Sequence, residues 1–186
     1  VNEAPRLEAM LSHTIQSNKE REMAYVRQAT HDALTGCKNR RAFDSDIAEL
    51  LNAQQPFAMA LVDIDNFKSI NDTLGHLTGD IVLRNVAREG IQIMQPHHVS
   101  VYRYGGEEFA VILQAEQIAA AFSLLDAWRT AVERRVWREE NLRVTFSGGL
   151  GEWHFEPLEQ FVGSVDNALY SAKQQGKNRI VRTSIS

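Results

Sequence analysis

One segment constrains this chain more than any other: residues 57–64, an apolar run broken only by Asp63 and followed at once by Asp65. It has the length of a strand and lacks the alternation of a half-solvated one, so it predicts a buried central strand covered on both faces. What flanks it can supply the cover. Helical spacing runs over residues 40–51 and 81–94, closed by Pro56 and Pro96, over 115 to about 137, and over 158–175. Shorter strand patterns lie at 99–104, 109–113, 142–151 and 179–183, the first two separated by a glycine pair in a hairpin pattern. Strands alternating with helices, with one hairpin inserted, predict an α/β (α+β) sandwich: a mixed central sheet flanked by helices rather than a purely parallel doubly wound one.

With 186 residues, 44% of them hydrophobic, the chain is long enough for one compact domain plus an appendage. Its net charge of -4 excludes a protein that grips a nucleic acid polymer over a broad basic surface. Cys37 is the only cysteine, which precludes an internal disulfide and fits a reducing, cytoplasmic setting. No apolar run approaches the roughly 20 residues that span a bilayer. The chain opens at Val1 rather than Met, so a piece of a longer protein is expected.

Residues 1–30 read as an N-terminal helical stalk or linker, and residues 31–186 as the domain proper. Leu7, Met10, Leu11 and Ile15 cluster near the start of the stalk and Met23, Tyr25, Val26 and Ala29 near its end, yet neither heptad frame is clean. That favours a helix that pairs with a partner part of the time over an autonomous coiled coil.

The chemistry-bearing residues begin where the central strand ends. Asp63 and Asp65 sit at the exit of a rigid buried element and, by alternation, on one face. Carboxylates so placed suit metal-dependent phosphoryl chemistry, since Mg²⁺ takes one or two of them and fills its remaining positions with phosphate oxygens and water. A solvated strand end with a capping aspartate is the plain alternative. Phe67, Lys68, Asn71 and Asp72 follow at helical spacing, with Lys68 a candidate phosphate contact. A glycine-punctuated loop then leads to Asp80, which sits where an N-cap belongs. A carboxylate there has a second use: it accepts two hydrogens at once from the N1 and 2-amino edge of guanine, a donor pair that adenine lacks.

Gly105 and Gly106 allow a tight turn with positive φ and a close approach of a ligand's phosphates to the backbone. Glu107 and Glu108 come directly after them, where each acid costs something in a strand start; an ordinary hairpin turn is the plain alternative. One of them facing Asp63 would complete a metal site.

The stretch Gly105-Gly106-Glu107-Glu108-Phe109 resembles the signature of the GGDEF family of diguanylate cyclases in its glutamate variant. Asp32-Ala33-Leu34-Thr35-Gly36 with Asn39-Arg40-Arg41 resembles the family's opening motif. Residues 62–68 and 71–80 match two further landmarks in order, so the resemblance covers about residues 31–183. It implies a fold related to nucleotidyl cyclases and the polymerase palm, and condensation of two GTP into cyclic di-GMP between two subunits, hence a homodimer. It further implies Mg²⁺, with Mn²⁺ as an alternative, held by Asp63, Glu107 and the backbone carbonyl of Ile64, with Glu108 indispensable beside them. Asn71 and Asp80 would read guanine, while Lys68, Lys173 and Lys177 would touch the phosphates. An upstream sensory or membrane domain is expected in the full-length protein, with anchoring in the inner membrane.

Two departures stand out. Lys177 replaces an arginine common in the family, which keeps the charge and loses the bidentate fork. Where many members keep an inhibitory Arg-x-x-Asp site for the product, this chain has Pro96, His97, His98 and Val99, so the usual site is expected to be missing. His97 and His98 lack companion ligands nearby and read as a surface loop; Trp128 and Trp137 read as core or interface on the long helix. The rival readings are a degenerate binding module, a cyclase with another dinucleotide product, and a dimerisation domain fused to a sensor.

Overall fold

The computed structural model describes residues 3–139 and 141–184; residues 1–2 and 185–186, the outer ends of the expected stalk and domain, lie outside the described residues. Residues 57–64 form β1 (Phe57–Ile64), the middle strand of a five-stranded sheet. On one side β1 pairs antiparallel with β3 (Glu108–Gln114), which pairs antiparallel with β2 (Val101–Arg103). On the other it pairs antiparallel with β4 (Phe146–Glu152), which pairs parallel with β5 (Ile180–Arg182). The order is β2-β3-β1-β4-β5, the mixed sheet expected from the sequence.

Alternation along β1 divides the core in two. Ala58, Ala60, Val62 and Ile64 join the cluster under α3 (Phe67–Leu74), α4 (His76–Met94) and α5 (Ala121–Arg134). Phe57, Met59 and Leu61 join the cluster under α2 (Arg40–Asn52) and α6 (Leu158–Gln174). Helices on both faces explain why the strand carries almost no polar residue. Trp128 of α5 is fully buried between Phe109 and Phe146, with its indole N–H donated to the Val86 carbonyl at 2.9 Å. It belongs to the core, and truncating a residue packed in this way costs about 3–5 kcal/mol. On the other face α6 lies hard against β4: a Cβ on Gly149 would meet the Val165 carbonyl oxygen at 2.3 Å. That glycine lets the last turns of α6 reach the end of β1.

The first helix, α1 (Ala4–Thr30), contributes nothing to either core; none of its residues is buried, and Leu7, Met10, Leu11, Ile15, Met23, Tyr25 and Val26 are all more than half exposed. It ends where Asn39, the cap of α2, reaches back to it: Nδ2 donates to the Ala29 carbonyl at 2.9 Å, while Oδ1 accepts from Ala42 N–H at 2.9 Å.

Several boundaries differ from the sequence reading. α4 starts at His76, directly after Gly75 (φ 90°), so Asp80 lies inside the helix and is not its N-cap. The long helix over 115–137 is a 3-10 turn (Ala115–Ala120) followed by α5, which leaves Trp137 beyond the helix end. β4 begins four residues later than expected, because β1 ends at Ile64 and its last rung pairs Ile64 with Phe146. Residues 142–145 have no neighbouring strand to complete a ladder.

Candidate active site

The site forms where β1, the β2–β3 hairpin and α6 meet. Asp63 is paired directly with Glu108 across β1 and β3, so the two side chains share a face, the one covered by α2 and α6. Glu107 comes one residue earlier, and its carbonyl accepts from Ile64 N–H at 3.2 Å. Neither Gly105 nor Gly106 has a positive φ, so the turn does not use the freedom expected of them. A Cβ on Gly106 would meet nothing within 4 Å, so the backbone there is bare towards open space.

Both strand-end aspartates point at α6, as alternation predicts. Lys173 Nζ donates to Asp63 Oδ1 at 2.9 Å, to the Asp63 carbonyl at 3.4 Å and to Asp65 Oδ1 at 2.8 Å. Asp65 is otherwise fully engaged. It accepts from Thr145 Oγ1 and Ser147 Oγ, both at 2.7 Å, and from Asn178 N–H at 3.0 Å. Burial pushes its carboxyl up, but the hydrogen bonds from Lys173, Ser147 and Thr145 outweigh that and hold it below the usual range. Asp65 is therefore a brace that holds Lys173 and the 176–178 loop in place, while Asp63, with Lys173 as its partner, is the aspartate that faces the hairpin glutamates.

The glutamates show the opposite balance. Burial, then the nearby Asp63 charge, raises Glu107 above the usual carboxylate range against the pull of Lys173. Burial, then Asp63, Asp166 and Glu107, raise Glu108. Burial first, and repulsion between the carboxylates second, disfavour the charged glutamates here, and a divalent cation would favour them. Among the described residues no three His, Cys, Asp or Glu side chains form a ready-made metal cage. Two carboxylates and a carbonyl, with the rest left to substrate and water, is the donor set that suits Mg²⁺. The residues fit the ion.

Beside this cluster lie two further groups. Lys177 reaches Asn66 at the start of α3, with Nζ to Oδ1 at 2.7 Å, and Lys68 sits exposed in the first turn of the same helix. Gly176, Lys177 and Asn178 all have positive φ, a conformation costly for the last two and fixed here by the Asn178 contacts to Asp65, Glu133 and Arg129. Asn71 on α3 packs onto α4 at Gly79, the neighbour of Asp80: a Cβ there would fall 1.8 Å from Asn71 Oδ1. That oxygen is buried without a hydrogen-bond partner, so its acceptor capacity is unused.

The hairpin has supports that the sequence reading did not single out. Arg40 stacks on the Tyr104 ring at 3.7 Å and donates to the Tyr104 carbonyl at 3.3 Å. Arg103 joins Asp32 to the Gly106 carbonyl. Both arginines stand inside the quoted motifs or beside them, and that adjacency was the available signal.

Residues 29–179 match the family described as diguanylate cyclase, GGDEF domain. The chain is 36% identical over 169 residues to diguanylate cyclase VdcA of Vibrio cholerae, covering 88% of this chain and 50% of that protein. It is 33% identical over 177 residues to diguanylate cyclase DgcZ of Escherichia coli, covering 92% of this chain and 60% of that one. The chain thus spans about half the length of these relatives. A crystal structure of the coiled coil and GGDEF domain of DgcB from Caulobacter crescentus, in complex with c-di-GMP, superposes with a TM-score of 0.82 at 31% identity, covering 98% of this chain and 100% of that one. With the signature hairpin set against the acidic end of the central strand and a family match across most of its length, this chain belongs to the GGDEF domain family of diguanylate cyclases.

Proposed function

We propose that this chain is a diguanylate cyclase that condenses two GTP into cyclic di-GMP and two pyrophosphates. The observation that carries the proposal is the Asp63–Glu108 pair with Glu107 beside it, a carboxylate cluster at the end of the central strand with Lys173 bound to Asp63.

Asp63, Glu107 and the Ile64 carbonyl would hold Mg²⁺, with Mn²⁺ as an alternative. Bound there, the ion lowers the pKa of the attacking hydroxyl and offsets charge at the phosphorus. The chain's own residues do the positioning. Lys173, Lys177 and Lys68 surround the phosphates, the last two at the start of α3, where free backbone N–H groups also favour an anion. Asn71 and Asp80 read guanine: the unpartnered Asn71 oxygen accepts from the base, and the Asp80 carboxylate accepts from its N1 and 2-amino hydrogens. Glu108 keeps the field at the strand end negative and is required beside Glu107.

One subunit holds one GTP, so two subunits meet with their sites facing. The 3′-hydroxyl of each nucleotide attacks the α-phosphorus of the other, and each attack forms one phosphodiester bond and expels one pyrophosphate. Holding both nucleotides replaces an encounter in solution with an effective molarity. The exposed apolar residues of α1 suit pairing with a second copy, and the DgcB neighbour joins a coiled coil to its GGDEF domain. Regulation by the usual Arg-x-x-Asp product site is absent, since exposed Pro96 and buried Val99 supply neither guanidinium nor carboxylate. The test is to incubate the purified chain with Mg²⁺ and GTP and resolve the products by mass: cyclic di-GMP supports the proposal, and its absence from a folded, dimeric sample refutes it.

A further inference from the structure

Arg103, on the edge strand β2, makes contacts that the proposed reaction does not use directly. Its Nη1 donates to both carboxylate oxygens of Asp32, each at 3.2 Å. Its Nε and Nη2 donate to the Gly106 carbonyl at 3.3 and 2.9 Å. One planar fork thus joins the hairpin to Asp32, which lies 71 residues before Arg103 in sequence.

Each end of this link is significant. The Gly106 carbonyl belongs to the peptide unit that carries the nitrogen of Glu107. The following carbonyl, that of Glu107, accepts from Ile64 on β1. Glu107 is therefore fixed through the peptides on both sides of it, one by Arg103 and one by the central strand. Asp32, at the other end, lies two residues past Thr30, the last residue of α1. Its Oδ2 accepts from the Thr35 N–H and Oγ1 at 2.9 and 2.8 Å, and its own N–H donates to the Cys37 carbonyl at 2.7 Å. Asn39 N–H donates to the Thr30 carbonyl at 2.8 Å, so the turn is tied to the helix end as well. The same turn reaches β2 by backbone, with Arg103 N–H donated to the Lys38 carbonyl at 2.7 Å. Asp32 and Arg103 are only about a fifth exposed, which shields the pair from water.

We propose that Arg103 is a positioning residue that couples the exit of α1 to the signature hairpin. Asp32 sets the plane of the guanidinium, the guanidinium holds the 106–107 peptide, and that peptide aims the Glu107 carboxylate at Asp63. A displacement of α1 reaches the carboxylate cluster through the Arg103 side chain, alongside the backbone bond from Arg103 to Lys38. The link gives an upstream event a route to the active site that does not pass through the core. This inference rests on the proposed cyclase reading for its kinetic consequence, though not for its structural one.

The experiment uses the whole chain with Arg103→Lys and Asp32→Asn. Lysine keeps the charge but has no fork to serve both partners, and asparagine keeps the shape of Asp32 without its charge. Amide exchange over residues 104–108, followed by mass spectrometry without nucleotide, is expected to rise in both variants while the core peptide 57–62 stays protected. The turnover number is expected to fall by about tenfold or more, as for a residue that supports a ligand from behind. The KM for GTP should stay within about threefold, because most of the expected guanine and phosphate contacts, Asn71, Asp80, Lys68, Lys173 and Lys177, lie outside the hairpin. The double variant should be no worse than Arg103→Lys alone, since the two residues act through one link. Unchanged exchange in either variant overturns the proposal. So does faster exchange with an unchanged turnover number, which would make the pair a brace and nothing more. If the parent chain forms no cyclic di-GMP, the cyclase reading fails by itself, and the exchange measurement still decides whether the Asp32–Arg103 link holds the hairpin.

Discussion

Lys173 Nζ lies 2.8 Å from Asp65 Oδ1, and Asp65 is almost completely buried while holding three further donors. The pair fixes an ammonium group at the mouth of the site, where it also holds Asp63. Burial draws the Lys173 ammonium down, but its bonds to Asp65 and Asp63 more than reverse this, so it stays charged well above neutral pH. Lys173→Met leaves a buried carboxylate with neutral donors only. The expected cost is about 2–3 kcal/mol, below the upper end for a broken buried pair because Thr145, Ser147 and Asn178 remain. Urea unfolding measures the loss, and product formation should fall further than stability alone explains.

Gly79→Ala tests the guanine side. Alanine gains up to about 1 kcal/mol of helix propensity, yet its methyl group occupies the space of the Asn71 carboxamide. Thermal unfolding is expected to change little while GTP affinity drops at least tenfold by calorimetry. Asp80→Ser in turn should relax the preference for GTP over ATP by a few kcal/mol. Unaltered selectivity would remove Asp80 from base recognition.

These two residues also show where sequence reading stopped. β1 was legible because a two-faced strand must be apolar throughout, and Asp63 with Glu107 and Glu108 because acids are conspicuous beside it. The start of α4 was not, since Thr78, Gly79 and Asp80 read as a loop. Gly79 sits within the helix for a tertiary reason, the closeness of Asn71, which no local pattern displays. The role of Asp65 was hidden for the same cause: its donors Thr145, Ser147 and Asn178 lie 80, 82 and 113 residues away.

The Asp32 carboxyl gives a pH-dependent expectation. Burial pushes it up, but the hydrogen bonds from Thr35 and the Arg103 charge outweigh that and hold it below the usual value. A depressed carboxyl contributes its full stability above the unfolded pKa of about 3.9 and loses it as pH falls through the folded value. Asp32→Asn is therefore expected to be less stable than the parent at pH 7, by about 1 kcal/mol. The gap should close below about pH 4, as measured by denaturant midpoints across the range.

Product control is expected to be weak at the usual place. Val99 is buried, its N–H is donated to the Met94 carbonyl at 3.2 Å, and Pro96 lies in a 3-10 turn. Neither side chain can replace charged hydrogen bonds worth about 1.5–3 kcal/mol each. Initial rates should stay level as cyclic di-GMP is titrated into the micromolar range, with calorimetry on the same sample. A falling rate with tight binding would place an inhibitory site on another surface.

The central claim is that Asp63 and Glu107 hold the ion at which two GTP are joined. Its most direct measurement is the rate of cyclic di-GMP formation by the parent chain and by Asp63→Ala and Glu107→Ala, with Mg²⁺ present and after chelation by EDTA. Product is expected from the parent with Mg²⁺, none after chelation, and none from either variant although both remain folded by circular dichroism. Near-parental turnover in a folded Glu107→Ala or Asp63→Ala variant would contradict it.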